Sequence, residues 1–376
     1  MNTSQNNKIE NLQAEDKTAL SEVAVFVEND QRSGTFVLKD SSTICGHSQQ
    51  EGIELLPIAA ALKKYNWLEE KYFWKQISKD KSEITRACAS SKTPLGYFIM
   101  VKKGHKVTLP TQAALYMAKA DEKQIIHNIV ILEEDSELEL ITGCVTKQGI
   151  DKGEHIAVSE TFIGKNAKFT NTMVHSWGSE VEVKPHSVTV VEEGGSFVSN
   201  YVSLRPAGKI VSNPVTHLNG AGASAKYFSI ILGSGSSEID LGGDVYLNAK
   251  GTSAEIAHRA VCTGGKIIQR GMLIGKEECH AHVDCSGMLI DPGEEGFIES
   301  IPGVKAYHED ARMSHEASIG KIAPSEVQYL MTHGMKEKEA ISMIIRGFLD
   351  SDIKGLGPEL DKRIAEIAEL AGHGED

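Results

Sequence analysis

The chain has 376 residues, 40% of them apolar, enough to bury a substantial core in one elongated domain or two compact ones. Its 52 acidic residues against 39 Lys and Arg leave a net charge of −13, which argues against a general nucleic-acid binder, because phosphates call for a basic face. The start, MNTSQNNKIENLQAEDK, lacks the basic region, apolar core and small-residue cleavage site of a secretory signal, and apolar runs such as 125–132 fall short of a bilayer span. A cytoplasmic protein without membrane contact is expected. The six cysteines (45, 88, 144, 262, 279 and 285) should then be reduced thiols, and no close CxxC pair suggests a structural zinc site.

Along the chain, residues 1–20 are polar and expected to be flexible. Residues 21–104 read as a small α/β region. Strand-like runs cover 23–27 and 34–38, and Pro57 opens a helix over 58–73 that places Ile58, Leu62, Tyr65, Trp67 and Leu68 on one broad side. Residues 105–320 change character: strand-length runs recur between Gly, Asn, Asp and Pro turns, with period-2 alternation clearest at 137–141 and 187–192. Many short strands without intervening helices argue against a doubly wound fold and leave a sandwich, a barrel or a stacked β-helix. Turns about every ten residues suit stacked coils. From 321 to 376 the period becomes 3.6. Pro324 starts a helix with Val327, Leu330 and Met331 on one face, a second carries Ala340, Ile341, Ile344, Ile345 and Phe348, and a third, Glu/Ala-rich one runs through Ala371. These helices either cap the β core or dock a partner.

The densest chemical cluster is CHAHVDC at 279–285. On an extended strand Cys279, Ala281, Val283 and Cys285 point one way and His280, His282 and Asp284 the other, so all the soft ligands cannot close on one metal. Cys279 can be read as a small core hydrophobe. His315 and Glu316, in ARMSHEAS, lack HExxH spacing and are no metalloprotease signature. Thiolate, imidazole and carboxylate together suit iron, and mixed ligation holds a cluster less tightly than four thiolates. Cys144, in LITGCVTK, is either a reactive thiol or a buried one within a coil. No P-loop, GxSxG elbow or strand–GxGxxG–helix setting is present.

Residues 285–349, CSGMLIDPGEEGFIESIPGVKAYHEDARMSHEASIGKIAPSEVQYLMTHGMKEKEAISMIIRGFL, resemble the C-terminal signature of the SufB/SufD family of iron–sulfur assembly scaffolds, SufB more than SufD. Similarity extends through GYFIMVKKGHKV, DSELELITGCVTK and HIAVSETFIGKNAKFTNTMVHSW, covering roughly 95–350. The resemblance implies a right-handed parallel β-helix that pairs with itself as a homodimer or with a SufD-like paralogue. It also implies C-terminal helices that bind a SufC-like ABC-type ATPase, so that hydrolysis belongs to the partner and the chain is no conventional enzyme. By that resemblance Cys285 and Glu316 match the cluster-binding Cys and Glu of SufB, His315 matches the SufD histidine, and Cys144 resembles a sulfur acceptor fed by a cysteine desulfurase or sulfide. The transient iron–sulfur cluster would pass to acceptor apo-proteins. The family is also linked to reduced flavin, for which no residues here speak. Two alternatives remain: a SufD-like structural partner without its own cluster site, and a β-helix enzyme acting on polysaccharide, against which the 6% aromatic content weighs.

Overall fold

The computed structural model describes residues 12–28, 31–291, 293 and 295–349. Helix α1 (Ala14–Glu22) and strands β1 (Gly34–Lys39), β2 (Ser42–Ser48) and β3 (Ile53–Pro57) come first, followed by helices α2 (Ile58–Lys64), α3 (Asn66–Lys71) and α4 (Glu83–Ala89). Strands then dominate: β4 (Tyr97–Val101), β5 (Thr111–Met117), β6 (Glu122–Leu132), β7 (Glu137–Thr146), β8 (Lys152–Ile163), β9 (Lys168–Ser176), β10 (Glu180–Val191) and β11 (Ser196–Arg205). The series continues with β12 (Lys209–Ser212), β13 (Val215–Leu218), β14 (Ser224–Gly233), β15 (Glu238–Leu241), β16 (Asp244–Leu247) and β17 (Thr252–Cys262). It ends with β18 (Lys266–Gly275), β19 (Cys279–Leu289), β20 (Phe297–Ala306) and β21 (Arg312–Lys321), before helices α5 (Pro324–Thr332) and α6 (Glu337–Leu349).

From β4 onward the chain alternates between two sheets, with β12–β13 and β15–β16 each lying together in one of them. One has ten strands in the order β2-β1-β5-β7-β9-β11-β14-β17-β19-β21. The other has eleven, β12-β15-β18-β16-β13-β10-β8-β6-β4-β3 with β20 beside β18. Neighbours are parallel except the pairs β1–β2 and β3–β4. The molecule is therefore a mainly-β solenoid with N-terminal α/β elements and C-terminal helices, as expected.

Alternation builds it. Every second residue of each strand points between the sheets, and these side chains merge into one cluster running from Phe36 to Ile298. Hydrogen bonds between side chains of successive coils join residues 28 to 32 apart in sequence. One corner repeats a left-handed residue on each coil: Asp135, Asn166, Gly194, Gly222 and Gly251. Their amides donate to the next coil, Asp135 to the Lys165 carbonyl at 2.8 Å and Asn166 to that of Glu193 at 2.8 Å. Gly, Asn and Asp tolerate that conformation, which explains the turn composition.

Four local expectations change. Residues 14–22 are helical, overlapping the end of the stretch 1–20 expected to be flexible, with buried Asp16 accepting from the Tyr116 hydroxyl at 2.8 Å and Lys39 Nζ at 2.7 Å. Residues 23–27 form no strand, because β1 already has β2 and β5 on its two sides. Val23 and Val25 instead seat over Gly143, where an added Cβ would lie 2.5 Å from Val23 Cγ2. The helix expected over 58–73 breaks at Tyr65, which is extended at φ −122°. The alternating run expected at 187–192 belongs to a longer strand, β10, that begins at Glu180 and passes through Pro185. Proline fits there because β12 pairs with residues 182–183 and β13 with 188–191, leaving 185 without a partner on that side.

The outer faces are partly covered. Val158 and Val188 pack with Ile77 and Cys88, and Phe98 and Ile129 pack with Ile58 and Leu68. Helix α6 buries Ala340, Ile345 and Leu349, the last two in a cluster with Ile230, Leu232 and Val261 on the outside of the ten-stranded sheet. Helix α5 buries none of its residues. The third C-terminal helix expected through Ala371 lies outside the described residues.

Candidate functional site

Strand β19 follows the alternation read from its sequence: Cys279, Ala281, Val283 and Cys285 are buried, while His280, His282 and Asp284 are not. Cys285 is fully buried, and burial, reinforced by neighbouring Asp284 and opposed by Arg259, pushes its thiol up to about 12. A neutral thiol is a poor nucleophile and ligand until a cation or a change of surroundings draws off its proton.

The parallel register fixes its neighbours. Cys285 pairs with His258 of β17 on one side and Ala317 of β21 on the other. In-register parallel strands carry paired side chains on the same face. His315 pairs with Val283 and so shares the inward face with Cys285. Glu316 pairs with Asp284 and belongs to the outward face. The three residues singled out in the sequence thus lie on two adjacent strands but on opposite faces. Among the described residues no group of three or more His, Cys, Asp or Glu side chains is placed to hold a metal ion.

On the outward face Arg259 Nη2 meets Asp284 Oδ2 at 2.6 Å, and Ser286 Oγ donates to Asp284 Oδ1 at 2.9 Å. This ion pair bridges β17 and β19 one residue away from His258 and Cys285. His258 is 1% exposed, and burial lowers its pKa to about 4. Its Nε2 donates to the Arg270 carbonyl of β18 at 3.0 Å, spanning the interior from one sheet to the other. The sheets approach closely here: an added Cβ on Gly271 would lie 2.8 Å from Val283 Cγ1. Sequence inspection passed over His258, although Ile256, His258, Ala260 and Cys262 alternate onto the apolar side of their strand.

Cys144 lies far from this point, on β7. It is fully buried, and burial raises its pKa strongly. It borders an internal cavity of about 140 Å³ that also touches Tyr97, His155, His175 and Tyr201 and reaches Ser229. His175 is the register partner of Cys144, and its Nδ1 lies 3.2 Å from the Tyr201 hydroxyl. Burial lowers the pKa of His155 to about 4 and that of His175 to about 3. Ser229 pairs with His258, so an inward column runs Tyr201, Ser229, His258, Cys285.

A two-sheet solenoid with a buried thiol one coil from its end, and helices fastened directly to that end, defines the structural class. Residues 115–348 match the family described as SUF system FeS cluster assembly, SufBD core domain. The chain is 41% identical over 357 residues to an iron–sulfur cluster assembly SufBD family protein of Archaeoglobus fulgidus, covering 95% of both chains. It is 37% identical to one from Methanothermobacter thermautotrophicus, over 94% of this chain and 86% of the other. A Pyrococcus horikoshii relative is 28% identical, over 93% of this chain and 78% of its own. The chain belongs to the SufBD family of iron–sulfur cluster assembly proteins. No helix among the described residues is long and apolar enough to cross a membrane.

Proposed function

We propose that this chain is a scaffold subunit on which iron and sulfide are collected at Cys285 before transfer to acceptor proteins, with the driving ATPase activity residing in a SufC-like partner. The observation that carries the reading is the placement of Cys285, sealed under a single last strand, β21, which runs through two residues into α5. A partner gripping α5 and α6 would act directly on that strand. Helix α5 offers the surface: Tyr329 and Met331 are exposed, and Val327 and Leu330 are only half-buried.

In this reading the cluster is cargo. Movement of β21 uncovers Cys285, lets its thiol ionise, and allows His315 and Glu316 to be brought towards it, in the same subunit or across a dimer. Cys144 accepts the outer sulfur of a donor persulfide in the internal cavity, the donor leaving as its thiol, and His175 is its register partner. A homodimer or a SufD-like paralogue completes the assembly, in a cytoplasmic setting. Flavin has no assigned site.

A second reading is favoured by the opposite facing of Cys285 and Glu316: a SufD-like structural partner that holds no cluster itself. Anaerobic reconstitution with ferrous iron and sulfide, followed by absorption and Mössbauer spectra, separates the two. A stoichiometric cluster in the wild type that is lost in Cys285→Ser supports the scaffold. A wild type that stays colourless, alone and with its cognate ATPase, establishes the structural partner. A cluster unchanged in the variant removes Cys285 from the site.

A further inference from the structure

Two features of His258 go beyond the proposed site. The Arg270 carbonyl can only accept, so the proton of the neutral ring sits on Nε2 and Nδ1 keeps its lone pair. That Nδ1 is buried and has no hydrogen-bond partner among the described residues. A lone pair hidden from water without a donor is unfavourable, and native interiors rarely tolerate it without a use. The residue beside it on the next coil is Cys285, on the same face and about 4.8 Å away by the ordinary spacing of paired strands. The Arg259–Asp284 ion pair pins the two strands together at the adjacent position, holding this pairing in register.

We propose that His258, through Nδ1, is a second protein ligand for iron beside Cys285, forming a thiolate–imidazole half-site inside the solenoid. The inference rests on Cys285 holding the cargo. Histidines that bind metals characteristically donate their other ring N–H to a carboxylate or backbone carbonyl, which fixes the tautomer and aims the ring; the bond to Arg270 does this. Iron accepts both donor types, and a neutral imidazole in place of a second thiolate gives a less negative, more weakly held centre. Two ligands leave the remaining iron positions to sulfide and to groups supplied from outside the pair. His127 provides the contrast. Its Nδ1 is likewise unpartnered while Nε2 bonds Glu160, but its register neighbour is Val158, which offers nothing to a metal.

Cobalt(II) alone, added anaerobically to the full chain, is the probe. Thiolate-to-cobalt absorption reports Cys285, and pulsed EPR coupling to a directly bound nitrogen reports imidazole. The wild type should show both. His258→Ala should keep the thiolate band, lose the nitrogen coupling and bind about tenfold or more weakly, whereas His315→Ala should keep the coupling. Because His258→Ala also removes a packed ring, the His315→Ala protein grown with 15N-histidine gives an independent readout in a chain that retains His258: the coupling must change from the 14N to the 15N pattern. A thiolate band without nitrogen coupling, or coupling that survives His258→Ala, overturns the role of His258 and leaves Cys285 in place. Cobalt binding with no thiolate band, or no binding by the wild type either alone or with its cognate ATPase, overturns the Cys285 reading and this inference with it.

Discussion

His155 and His175 are inside the solenoid and uncharged there, with burial lowering their pKa values to about 4 and about 3. The unfolded chain returns both to about 6.5. Below that pH the unfolded state binds protons that the native state refuses, so stability declines as pH falls from about 6.5 towards 5. With His258, lowered to about 4 in the same way, the three residues should give a slope approaching three protons, about 4 kcal/mol per pH unit. Urea denaturation at pH 7, 6 and 5 measures it. His175→Gln should remove close to one proton from the slope, and an unchanged slope would show that His175 is not held neutral. At this scale the sequence was legible wherever alternation alone decides facing. It sorted Cys279 and Cys285 from His280, His282 and Asp284 correctly. It could not reveal that His315 and Glu316 face opposite sides relative to Cys285, because that depends on the register between β19 and β21, which the lengths of the connecting loops set.

Elements on the outside are fastened by few polar groups. The Glu160 carboxylate of β8 is wholly buried and accepts from the Trp74 amide at 2.7 Å, the Gln76 amide at 2.6 Å and His127 Nε2 at 2.9 Å. Phe73 stacks on the same imidazole with ring centroids 4.3 Å apart. This carboxylate ties the segment between α3 and α4 to the eleven-stranded sheet. Replacing Glu160 with Ala strands two amides and an imidazole, and should cost about 3–5 kcal/mol. Proteolysis should then cut first between residues 72 and 92, while a variant as resistant as wild type would show the segment is held by packing alone. Surface charges behave differently. Lys106, Glu137 and Lys168 stack on successive coils, as do Lys123, Glu154 and Lys184, with closest contacts of 2.7–3.3 Å. Each exposed pair is worth little singly, but the alternation of sign opposes slippage between coils. Strand existence was readable here from period and turn residues. The loss of a strand at 23–27 was not, since it follows from which sheet edges are already occupied; nor was the break at Tyr65, whose ring packs against Phe98 of β4.

A solenoid is nearly one-dimensional: each coil rests on its two neighbours, and the interior column from Tyr201 to Cys285 exists only because successive coil lengths keep the register. The composition and turn spacing pointed to such stacking, while the choice over a sandwich or barrel came from the resemblance of residues 285–349, not from periodicity. Strand β21 is the last of its sheet among the described residues, with one hydrogen-bonded neighbour where β17 has two. Amide exchange should accordingly show a gradient, with β21 losing protection well before β9, β11 and β14, and Cys285 becoming alkylatable at the rate of that opening. Uniform protection along the sheet, or alkylation only at the global unfolding rate, would show the end to be as firm as the middle. Fraying at an edge is usually a weakness to be suppressed. On the proposed function, the strand expected to melt first covers the cluster-binding thiol, so reactivity would be timed by incomplete folding, and a partner that holds β21 down or pulls it away would control the chemistry without touching the sulfur.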